Sequence, residues 1–129
     1  MPPLDQRAYR DLRRPSAEGR GYGSKWVTAA AEFRRRNPLC LGCYAVGVRT
    51  ACEVVDHIIP HRGDNEKFWD RKNWQPSCTW HHNAIKPLLE ERYERGELKR
   101  NDLFLFSVPA VLLTKAKRKK DIGVDGWAV

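Results

Sequence analysis

The sequence lacks any apolar run near the ~20 residues that a membrane-spanning helix needs. Its longest, residues 103–113, is interrupted by Ser107 and Pro109. The N-terminal stretch MPPLDQRAYRDLRR is basic but has no apolar segment behind it, so a secretory signal is not expected. A cytoplasmic protein without a membrane partner is the expectation that follows. Acidic residues are in deficit: 16 Asp and Glu face 24 Lys and Arg, a formal net charge of +8. Such an excess in a small chain points to a polyanionic partner, nucleic acid first. Cysteine is scarce, with four in 129 residues. In a reducing compartment so few thiols point to metal binding or catalysis rather than to disulfides. Hydrophobic residues make up 41% and charged residues 31%, which argues against wholesale disorder. The length suits one domain, which buries roughly 68% of its unfolded surface around one modest core.

Punctuation by proline and glycine divides the chain. Residues 1–23 read as a basic irregular arm carrying Arg7, Arg10, Arg13, Arg14 and Arg20. Ser24 is placed to cap a helix running to about Arg36, with Trp26, Ala30 and Phe33 on one face. Arg34, Arg35 and Arg36 suit its C-terminal dipole, and Asn37-Pro38 ends it. Residues 48–60 are rich in β-branched side chains and read as strand. Asn73-Trp74-Gln75 reads as a short second strand stopped by Pro76. Residues 77–86 have helical composition, and Pro87 predicts a break or kink near Lys86 before a second helix from about 87 to Gly96. Residues 103–113 should pack on the core as strand or helix. A basic run follows: Lys115, Lys117, Arg118, Lys119 and Lys120. The expected organisation is the arm at 1–23, one α+β domain at 24–100, and a C-terminal extension at 101–129 packed on it or trailing from it.

Two ligand pairs stand out. Cys40-x2-Cys43 forms a knuckle, and Cys78-x2-His81 places two ligands three residues apart at the start of a helix. Together they supply the four donors of a tetrahedral Zn2+ site, which can staple a domain with a small core. Buried free thiols or a redox pair are the competing reading of Cys40 and Cys43. Cys52 reads as a small buried hydrophobe.

A second constellation follows. Asp56 and His57 stand side by side at the end of an apolar strand, with Asn73 in the next strand and His82 beside the zinc pair. A carboxylate and an imidazole suit Mg2+ or a transition metal. A neutral histidine is suited to take a proton from water near pH 7. His61 and Asp64, in the loop after His57, can reach phosphate or simply order the loop. Trp69 and Trp74 read as core.

The order Cys-x2-Cys, Asp-His, Asn, Cys-x2-His-His resembles the HNH endonucleases, and most of all the small HNH proteins of tailed phages. The supporting motifs are RGYGSKW at 20–26, NPLCLGC at 37–43, VVDHIIPHRGD at 54–64, FWD at 68–70, NWQ at 73–75 and IGVDGW at 122–127. The resemblance covers residues 20–86 and implies a ββα-metal core: two strands, a loop and a helix around one divalent ion. It implies that His57 is the general base, that Asp56 and His82 hold a catalytic Mg2+, Mn2+ or other divalent ion, and that Asn73 steadies the loop. It also implies zinc at Cys40, Cys43, Cys78 and His81, where the commoner family form has cysteine at the last position. The implied activity is hydrolysis of DNA phosphodiester bonds with little sequence preference. The implied setting is the bacterial host cytoplasm, with a role in phage genome packaging beside terminase and portal proteins. Arg62, Lys86 and the run Lys115, Lys117, Arg118, Lys119 and Lys120 are candidate nucleic-acid contacts. A solvated surface lysine is the other reading of Lys86, which stands one place beyond the family's lysine. The alternative function is a zinc-stapled nucleic-acid-binding module without catalysis.

Overall fold

The structure, a computed structural model, describes residues 23–122. The basic arm up to residue 22 and the IGVDGW motif beyond Ile122 lie outside the described residues. The chain divides into two units, 1–33 and 34–129, with the division falling inside the first helix. That helix, α1, spans Ser24–Arg36 and ends at Asn37-Pro38, as the sequence requires. Ser24 is its first helical residue rather than its cap, because the carbonyl of Gly23 already accepts from the amide of Val27.

Among the described residues of the second unit the chain is α+β: helices and one two-stranded antiparallel sheet. Helix α2, Leu41–Ala45, is a single turn inside a narrow loop. The loop is closed by a bridge between Leu39 and Ala51 and by the bonds Cys40 N to Thr50 O and Cys52 N to Pro38 O. Strand β1, Val54–His57, pairs with β2, Trp74–Ser77. Regular strand occupies less of 48–60 than the β-branched composition suggests, since the earlier residues serve the loop. Conversely, β2 runs through Pro76 instead of stopping there. The bond from Ile58 N to Asn73 O marks a hydrogen-bonded pair, so alternation makes Val55–Pro76 a non-bonded one. The missing proline N–H therefore costs no ladder bond.

Between the strands, Asp64 caps the short helix α3, Asn65–Trp69, by accepting from the amides of Glu66 and Lys67. Asp70 likewise caps a 3-10 turn at Arg71–Asn73. After β2 the irregularity expected near Lys86 is a widened turn rather than a break. A π turn at His81–Ile85 leads straight into α4, Lys86–Glu94. The wider turn accommodates Pro87, which lacks an N–H and would crowd the carbonyl four residues back. Gly96, at φ +78°, takes the left-handed conformation just beyond α4, where a side chain would be strained.

The C-terminal segment is part of the core. A 3-10 turn at Arg100–Leu103 precedes α5, Val108–Ile122. Leu103, Leu105 and Ala110 pack with Ile58, Ile85 and Leu89, all six fully buried. The undecided stretch 103–113 is thus turn and helix, and the basic run belongs to α5. Among the described residues no helix is long and apolar enough to cross a membrane.

Candidate functional site

Four side chains from three elements converge on one buried cluster. Cys40 precedes α2, Cys43 lies within it, Cys78 follows β2 and His81 opens the π turn. Their ligand atoms all lie within 4.8 Å of one another. His81 Nδ1 stands 3.6 Å from Cys40 Sγ, 3.5 Å from Cys43 Sγ and 3.5 Å from Cys78 Sγ, and the Cys43 and Cys78 sulfurs are 3.8 Å apart. Tetrahedral zinc bonds of ~2.3 Å to sulfur and ~2.0–2.1 Å to nitrogen would set sulfurs ~3.8 Å apart and sulfur from nitrogen ~3.6 Å. The donor set therefore fits Zn2+ in both chemistry and spacing. Glycine is required between the two cysteines: a Cβ on Gly42 would lie 2.3 Å from His81 Cδ2. A hydrogen bond from Cys78 holds the Cys40 thiol far below its ordinary range, while the same bond and burial push Cys78 up. Sulfurs this close do not all ionise unaided, and a bound cation is what allows it. Cys52 stands apart, half-buried, its thiol directed at the Val54 carbonyl 3.4 Å away.

The neighbouring histidine turns elsewhere. His82 Nδ1 lies 2.9 Å from Oδ1 of Asp56, which is only 1% exposed. The other carboxylate oxygen accepts from Gln75 Nε2 at 2.9 Å and from Lys86 Nζ at 3.0 Å. Burial, the largest influence, pushes the Asp56 carboxyl up, but His82, the Lys86 charge and Gln75 outweigh it and hold it below its ordinary range. The bond to Asp56 raises His82 in turn. Lys86 is no surface lysine. At 2% exposure its ammonium also meets Glu90 at 2.9 Å and the His57 carbonyl at 2.6 Å, which occupies all three donors. The expected phosphate contact at Lys86 is corrected accordingly: in this structure the charge serves Asp56 and Glu90.

His57 follows Asp56 on β1, and alternation directs it to the other face of the strand. There its Nε2 meets the carbonyl of Phe68 at 2.9 Å. A carbonyl only accepts, so Nε2 carries the proton and Nδ1 the lone pair. The ring stacks on Phe68 with centroids 4.9 Å apart and meets His61 edge-on at 4.9 Å. Burial, only partly offset by the Phe68 carbonyl, lowers its pKa and favours the neutral ring. Asn73 ties the loop together: Oδ1 accepts from Ile59 N at 2.9 Å, and Nδ2 donates to Ile59 O at 2.9 Å and Lys67 O at 3.2 Å. His61 accepts from the Gly63 amide and Asp64 caps α3, so both order the loop. Trp74 is buried and bonds the same Phe68 carbonyl, while Trp69 is half-exposed beside the Phe68 ring.

Of the remaining candidates, Arg62 is exposed, takes a positive φ of 48° and pairs with Glu94. Lys115 and Lys119 are exposed and Lys117 is half-buried. Arg118 leaves the run: its guanidinium lies over Trp80, 4.5 Å from the ring centroid, with Nη2 3.4 Å from Cys43 Sγ. Sequence reasoning missed Gln75 and Thr114. Gln75 is fully buried, bonds Asp56, donates to Leu103 O and accepts from Leu105 N. Its one visible signal was a long polar residue between Trp74 and Pro76 in a short strand. No protein-family model, curated protein or solved structure matches the chain.

Proposed function

We propose that this chain is a metal-dependent DNA endonuclease of the HNH kind, hydrolysing phosphodiester bonds with little sequence preference. The observation that carries the reading is the meeting of Asp56 and His82 across β1 and the π turn, with His57 next in the strand. Their 2.9 Å separation matches one edge of an octahedron with ~2.1 Å bonds. Both residues thus suit adjacent positions on one Mg2+ or Mn2+ ion. A divalent ion bound there would stabilise charge on the phosphorane and on the departing 3′ oxygen. His57, neutral and with its lone pair on Nδ1, takes the proton from the attacking water. Asn73 positions that base through the loop that presents the Phe68 carbonyl. The +8 net charge suits a polyanionic substrate. The resemblance supplies the biological setting, phage genome packaging with terminase and portal proteins.

One observation favours a second reading, a zinc-stapled nucleic-acid-binding module without catalysis: both Asp56 oxygens already have protein partners. Incubating supercoiled plasmid with the purified protein, with and without Mg2+, Mn2+ or Ni2+, decides. Metal-dependent nicking that disappears in His57→Ala supports the nuclease. DNA retardation without nicking under every metal supports the binding module.

A further inference from the structure

Helix α5 delivers two side chains to the Cys3His cluster from positions four apart, and therefore from one face. The first is Thr114, 1% exposed. Its hydroxyl donates to the Ala110 carbonyl at 2.7 Å, so toward His81 Nε2, 3.0 Å away, its oxygen accepts. The ring proton is thereby fixed on Nε2, and the lone pair falls on Nδ1, the nitrogen that faces the three sulfurs.

The second is Arg118. Three thiolates and one neutral imidazole around Zn2+ sum to a charge of −1. The guanidinium points a donor at Cys43 Sγ and offsets that charge. Stacking on Trp80, whose own ring meets His81 edge-on, holds it in place. Neither contact is needed to bury α5, since Ala110 and the segment before it already pack on the core.

We propose that α5 completes the metal centre, with Thr114 as a positioning residue that sets the His81 tautomer and Arg118 as the counter-charge of the thiolates. Metal retention and the seating of the C-terminal helix are then coupled. This rests on the cluster holding zinc, and the experiment separates the two claims.

Zinc content is measured in the natively purified full chain, followed by the rate and affinity of zinc transfer to the chromophoric chelator 4-(2-pyridylazo)resorcinol. Thr114→Val removes the acceptor at nearly constant volume, and Thr114→Ser keeps it. Zinc affinity is expected to fall about 10- to 100-fold in Thr114→Val, the usual effect of losing an outer partner of a ligating histidine, and to recover in Thr114→Ser. Arg118→Gln is expected to release zinc faster than wild type. In Co2+-substituted protein the sulfur-to-cobalt absorption should persist in every variant, because the four ligands are unchanged. Wild type without zinc overturns the metal site itself. Wild type with zinc, alongside Thr114→Val and Arg118→Gln that release it at the wild-type rate, overturns the role of α5 alone. Should Thr114→Val fail to fold, the half-exposed Arg118→Gln decides the question by itself, and a wild-type release rate there refutes the coupling.

Discussion

At the scale of single residues, His57 and Gln75 separate the proposed chemistry from the packing that supports it, and one substitution at each tests them. His57→Ala should cut plasmid nicking by about 10²- to 10⁴-fold with zinc content and circular dichroism unchanged, as expected for a lost general base. Wild-type nicking by the folded variant would remove His57 from the mechanism. Gln75→Leu should lower stability, because it leaves the Leu103 carbonyl and the Leu105 amide without their side-chain partner and takes one of two donors from Oδ2 of Asp56, which keeps Lys86. Each unpaired buried group costs about 1–3 kcal/mol, so urea denaturation should show a loss of at least that size. A midpoint equal to wild type would show that water replaces the amide. Cys40, Cys43, Cys78 and His81 are legible in the sequence because two chelating pairs show in their spacing, whereas the roles of Lys86 and Gln75 depend on partners 29 and 30 positions away, the His57 carbonyl and the Leu105 amide.

At the scale of elements, helix α1 and the close of α4 at Gly96 could be read from the sequence, since caps, prolines and glycines act locally. The π turn could not. Periodicity describes ideal helices, and proline there predicted a break or kink without saying which; the chain absorbed Pro87 by widening one turn. The extension at 101–129 was also only partly legible. Its apolar content announced burial, but its partners Ile58, Ile85 and Leu89 lie far back in the sequence. Ending the chain after residue 102 should therefore destroy the fold rather than trim a tail. Leu103 and Leu105, each fully buried, contribute about 3–6 kcal/mol together. That is a large share of the roughly 5–15 kcal/mol by which domains are stable. The truncated protein is expected to be insoluble or to lack cooperative thermal unfolding. A soluble fragment that binds zinc and melts cooperatively would show that the extension is dispensable.

At the scale of the whole molecule, net positive charge is the property that no single contact explains. Charge count alone treated Lys115, Lys117, Arg118, Lys119 and Lys120 as one cluster. The structure removes Arg118, engaged with Trp80 and Cys43, and leaves Lys115 and Lys119 exposed on α5. These two lysines can therefore be neutralised without disturbing the metal centre. If both meet phosphates, changing Lys115 and Lys119 to Gln should weaken duplex DNA binding equally on unrelated sequences. The slope of log K against log salt concentration should become shallower by about 0.9 per lost contact, so ~1.8 in all. Nicking of pre-bound DNA should hardly change, because these charges contribute equally to ground state and transition state. A protein partner with an acidic surface gives a different result: DNA affinity and its salt slope stay at wild type. Arg118→Gln in the same titration provides the internal contrast. With its guanidinium committed to the sulfur cluster, that variant should keep the wild-type salt slope while losing zinc more readily. A slope that falls by ~0.9 in Arg118→Gln would instead place that charge on the DNA.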